Sequence, residues 1–173
     1  FSRGFDLFVP ESAVNAMAGG PVPLLFGLHG AGDAGSNFLH ATQLTRLAED
    51  NAFILVGPDG YNNGWFVQTN EGWPGSDGQS SSLPNDLAML LQLIDEVSAE
   101  YWVDEDRIYT VGHSRGAGMS GLCATMSGQT ETFLGPYVSP FAAHGVNAGY
   151  DPYGGSVPLE DSEPKRPLWI IHG

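Results

Sequence analysis

The stretch Arg107 to Gly116 (RIYTVGHSRG) constrains this chain more than any other. An apolar strand-like run ends at Gly112, and a segment of small apolar residues, Ala117 to Met126, begins only five positions later. A strand passing into a helix without a linker needs a very sharp turn. The residues of that turn, Gly112-His113-Ser114-Arg115-Gly116, fit the pattern G-x-S-x-G. The glycines have a steric reason, because side chains flanking so tight a turn collide with its backbone. Such a turn tips the serine hydroxyl out at the carboxyl end of a sheet, above a helix N-terminus that favours negative charge. Ser114 is therefore a candidate nucleophile.

The rest of the chain supplies the sheet. Val22 to Leu28 is an almost continuous apolar run ending in His29-Gly30-Ala31-Gly32-Asp33, and Phe53 to Val56 is a second, ending in Gly57-Pro58-Asp59-Gly60. Runs of this kind fit strands buried on both faces. Gly4 to Pro10 reads as an edge strand, and Ser36 to Asn51 carries apolar residues at helical spacing. Pro84-Asn85-Asp86 opens the clearest helix, with Leu87, Leu90, Leu91, Ile94 and Val97 on one stripe. Val138 to Val146 holds a short fourth strand and Pro167 to Ile171 a fifth apolar run. Tyr61 to Ser82 and Tyr150 to Pro167 are turn-rich excursions. Strands alternating with helices indicate one α/β domain over residues 1–173, with a mostly parallel sheet flanked by helices.

Charge narrows the partners. Twenty acidic residues face six basic ones, a net charge of -14, which repels phosphate backbones and anionic lipid. Neither nucleic acid nor membrane is an expected partner. Cys123 is the chain's one cysteine, so no internal disulfide and no Cys/His zinc spacing can form. It reads as a small buried hydrophobe. No metal or cofactor is expected.

The HGAG stretch supports acyl transfer independently. That chemistry needs two N–H groups aimed at the developing oxyanion, one from the residue after the nucleophile and one from the loop after an earlier strand. Arg115 supplies the first and Ala31 the second. Trp65 and Trp73, in the long loop, are candidates to stack on an aromatic or sugar substrate, or else to pack that loop down.

The succession LLFGLHGAGD, ILVGPDGYNNGW, NDLAMLLQLIDEV, RIYTVGHSRGAGMS and PLWIIHG resembles the α/β-hydrolase esterases. Among them it is most similar to the poly(3-hydroxybutyrate) depolymerase and feruloyl esterase group, carbohydrate esterase family 1. The resemblance implies a serine hydrolase of carboxylic esters of polyester, feruloyl or acetyl type. It further implies a Ser, Asp/Glu, His triad, no cofactor, and a secreted or periplasmic location.

One departure stands out. In the family the acid follows the strand that ends in His-Gly, and the base comes later still; here His172-Gly173 are the last residues. The triad acid and histidine are therefore expected beyond Gly173. The chain reads as C-terminally truncated, lacking its last strand and helix, with a further segment of the same protein as a possible partner. Within the chain, His144 among Phe141, Ala142 and Ala143 reads as a buried structural histidine, and His113 and His172 do not suit the base. Asp151, Glu160 and Asp161 read as a solvated face. The competing functions are a peptidase on the same fold and a non-catalytic hydrolase-like binding module.

Overall fold

The computed structural model describes residues 3–65, 86–125, 139–148 and 167–171. Among them lies a six-stranded sheet: β1 (Phe5–Phe8), β2 (Val22–Leu28), β3 (Ile54–Pro58), β4 (Val103–His113), β5 (Ala143–Asn147) and β6 (Leu168–Ile171). The strand order is β1-β3-β2-β4-β5-β6. Only β1 is antiparallel to its neighbour, at the edge where Gly4 to Pro10 is expected; the other pairs are parallel. The helices are α1 (Glu11–Ala16), α2 (Gly35–Ala41), α3 (Leu44–Asn51), α4 (Asp86–Glu100) and α5 (Arg115–Thr125).

Alternation along the strands divides the core. Leu24, Phe26 and Leu28 of β2, with Ile54 and Val56 of β3, pack with Leu87, Leu90 and Ile94 of α4 and with Met119, Leu122 and Cys123 of α5. Leu25 and Leu55 turn instead toward Phe38 and Leu39 of α2 and Ala48 of α3. Central strands covered on both faces show the near-continuous apolar sequence of β2 and β3. Cys123 is fully buried, as its sequence surroundings suggest.

Two elements differ from the sequence reading. The six-residue α1 was not anticipated, since Glu11–Ala16 is too short to show a helical period. The single helix expected over Ser36 to Asn51 is two. Gln43 adopts a left-handed φ of 58° between them, and Thr42 Oγ1 turns back to the Phe38 carbonyl. The apolar run Leu168 to Ile171 forms β6, which among the described residues lies at the sheet edge with Trp169 73% exposed.

Candidate active site

The chain runs from β2 to β3 on one side of the sheet and then crosses to β4 on the other. Beyond the carboxyl ends of β2 and β4 lies the crevice where parallel sheets bind ligands. The two strands are in register, with Leu28 beside Gly112. The residues that follow each of them, His29-Gly30-Ala31 and His113-Ser114-Arg115, therefore emerge side by side.

Ser114 occupies the turn with a left-handed φ of 54°, a conformation that side-chain-bearing residues rarely adopt. Its N–H donates to the Asn147 carbonyl at the end of β5 (3.0 Å), and its carbonyl accepts from the Gly118 N–H (3.1 Å), so strand and helix both hold the turn. A Cβ on Gly112 would overlap the backbone of Gly116, and one on Gly116 would overlap the carbonyls of Leu28 and His29. The glycines of the motif are thus required by close approach. Gly30 lies against the turn, since a Cβ built on it would stand 3.6 Å from Ser114 Cβ. The structure brings the HGAG loop and Ser114 together.

Ala31 is exposed on that loop, and its N–H has no acceptor among the described residues. Arg115 is the first residue of α5, where a backbone N–H has no acceptor within the helix. Its side chain turns toward Gly64, whose added Cβ would stand 3.3 Å from Nη1. An elbow arginine ordinarily pairs with an acid below the turn, but Arg115 makes no ion pair among the described residues.

His29 carries chemistry that the sequence reading passed over. It is fully buried, with Nδ1 2.7 Å from the Gly30 carbonyl oxygen and Nε2 2.9 Å from the Gly60 N–H. A carbonyl requires a donor and an N–H requires an acceptor, so the proton sits on Nδ1 and Nε2 is bare. Trp65 is only 2% exposed and donates its indole N–H to the His29 carbonyl (2.8 Å). Buried in this way, it has no ring face to offer a substrate and instead supports the loop. The signal for both residues was the GYNNGW stretch following β3. Trp73 lies outside the described residues, as do His172, Asp151, Glu160 and Asp161.

His144 is buried, with Nδ1 2.8 Å from Thr110 Oγ1, which in turn contacts Ser120 Oγ at 2.7 Å. Thr110 precedes Ser114 by four residues, about 13 Å along an extended strand, so His144 is too far away to act as its base. His113, at the exposed end of β4, has its ring near Gly30. No described histidine hydrogen-bonds to the Ser114 hydroxyl. A groove of about 350 Å³ lined by Thr110, His144, Leu168 and Trp169, among others, includes neither Ser114 nor Ala31.

The family model "Esterase PHB depolymerase" matches residues 4–151. Feruloyl esterase B of Thermothelomyces thermophilus is 27% identical over 147 residues, covering 84% of this chain and 45% of that protein. Among solved structures, the chain resembles an acetyl xylan esterase from Aspergillus awamori with a TM-score of 0.61 at 17% identity, over 84% of this chain and 46% of that one. It also resembles an S-formylglutathione hydrolase from Agrobacterium tumefaciens, with a TM-score of 0.60 at 15% identity, over 89% and 60%. The chain spans about half the length of such relatives. These structural likenesses establish the α/β-hydrolase fold, and the family model, matching most of the chain, places this protein in the Esterase PHB depolymerase family.

Proposed function

We propose that this protein is a serine hydrolase that cleaves carboxylic esters through an acyl-enzyme on Ser114. The left-handed turn at Ser114, with Gly30 packed against it, carries the reading. In the mechanism, Ser114 Oγ attacks the ester carbonyl carbon while a histidine takes its proton. The tetrahedral oxyanion is held by the N–H groups of Ala31 and Arg115. The intermediate collapses, the alcohol leaves with the proton from that histidine, and water then releases the acid by the same route. The ester is of polyester, feruloyl or acetyl type, and the location is extracellular or periplasmic.

The non-catalytic alternative draws on the lack, among the described residues, of a histidine bonded to Ser114. One experiment separates the readings. In the whole protein, a fluorophosphonate probe should label Ser114, and Ser114→Ala should lower kcat on short p-nitrophenyl esters by at least about 1,000-fold. An Ala variant with undiminished turnover would overturn the assignment. Labelled wild-type protein that cleaves peptides but not esters would favour the peptidase.

A further inference from the structure

We propose that the Arg115 guanidinium selects esters that carry a carboxylate within a few bonds of the scissile carbonyl, holding that carboxylate beside Ser114; this deepens the serine-hydrolase reading above and rests on it. The described residues include four basic ones, and three of these have an acid partner. Arg3 pairs with Asp86, Arg46 with Asp50 and Arg107 with Asp104. Arg115 has none among the described residues. In a chain with twenty acids and six bases, such a cation is the exception.

Nothing in its own element accounts for the charge. The helix α5 contains no acid, and a cation at a helix N-terminus opposes the helix dipole. The acids of the adjoining loops are committed elsewhere. Asp33 Oδ1 accepts the Ala34 N–H at 2.9 Å, and Asp59 Oδ1 accepts the Gly35 N–H at 2.8 Å.

The position of the guanidinium gives the charge a use. Arg115 directly follows the nucleophile, and a Cβ built on Gly64 would stand 3.3 Å from its Nη1. Asn63, the residue before Gly64, accepts the Gly32 N–H at 2.7 Å, which ties that loop to the one bearing Ala31. The half-buried Arg115 side chain therefore borders the wall of the crevice that carries Ala31. A guanidinium offers a planar fork of donors that matches a carboxylate, and partial removal from water strengthens the pair. The molecule as a whole repels anions at a net charge of -14, so an anionic substrate needs a local counter-charge of this kind.

Matched esters that differ in charge, hydrolysed by the whole protein, provide the test. 4-Nitrophenyl monoesters of adipic acid and of its monoamide place the group on the acyl side. Butyrate esters of 4-hydroxybenzoic acid and 4-hydroxybenzamide place it on the alcohol side. Wild type should favour the carboxylate over the amide by about 10–100-fold in kcat/KM in at least one pair, the size of a charge-assisted hydrogen bond, and that pair identifies the side. Arg115→Gln should bring the ratio to about one, and Arg115→Lys should keep part of it. A guanidinium that only steadies the oxyanion would affect both members alike, and a ratio unchanged in Arg115→Gln overturns the proposal. A wild-type ratio of one or less in both pairs also overturns it, and that measurement stands whether or not the variants fold. Fluorophosphonate labelling of wild-type Ser114 in the same preparation keeps the two readings apart. Labelled, active enzyme without the charge preference removes this proposal alone, whereas unlabelled, inactive enzyme removes the hydrolase assignment and this proposal with it.

Discussion

Ser114 and Cys123 show how differently one helix treats two chemically capable residues. Ser114 precedes α5 in a conformation that costs about 1–3 kcal/mol, and that cost is offset by the hydrogen bonds holding strand and helix on either side. Cys123 lies two turns further on, fully buried, and burial raises its thiol well above the usual range. Its thiolate is therefore strongly disfavoured in the folded protein. Native protein at pH 8 should not react with a disulfide reagent such as DTNB until it is unfolded. The linkage has a definite sign. A pKa raised on folding contributes stability that is intact below the unfolded value, about 8.5, and lost as pH rises above it. Cys123→Ala should accordingly weaken the decline of thermal stability above about pH 9, and an unchanged decline would count against this burial.

At the scale of elements, two joints set the geometry of the crevice. The first is the approach of α5 to β2, where only a glycine fits at 116. Gly116→Ala should destabilise the fold by about 1–3 kcal/mol, the usual cost of a methyl forced into a packed interior, and a urea midpoint would measure it. The second joint pins the start of α4. Asp86, almost wholly buried, pairs with Arg3 ahead of β1, a contact spanning 83 residues of sequence. Asp86 reads from the sequence as a helix-start residue satisfying free N–H groups, and nothing local in the sequence points to Arg3 as its partner. Arg3→Ala takes the guanidinium away from the buried Asp86 carboxylate, and breaking such a buried pair should cost about 3–5 kcal/mol. The double variant Arg3→Met/Asp86→Leu should recover most of that in the same denaturation measurement. Recovery no better than the single variant would mean that the pair does more than neutralise a charge.

For the molecule as a whole, charge and topology act at different levels. The net charge of -14 predicts no retention on heparin or DNA resin even at low salt, where attraction would be strongest, and salt-dependent retention would overturn it. Among the described residues, no helix is long and apolar enough to cross a membrane. Topology decided what charge could not. Local sequence determined the strands β2, β3 and β4, the helix α4 and the turn at Ser114, because continuous apolar runs, a 3.6-residue period and paired glycines are all properties of neighbouring residues. It was silent on the break at Gln43, where a long periodic stretch concealed a single left-handed residue. It also could not tell whether Trp65 faces a substrate or the core, since an aromatic side chain in a glycine-rich loop suits either place. Only the adjacency of β2 and β4 brings Gly30 against Ser114, and only the return of the loop after β3 places Gly60, Asn63 and Trp65 around His29. Those contacts join residues more than thirty positions apart, and a contact at that separation leaves no periodicity or local composition in the chain from which it can be read.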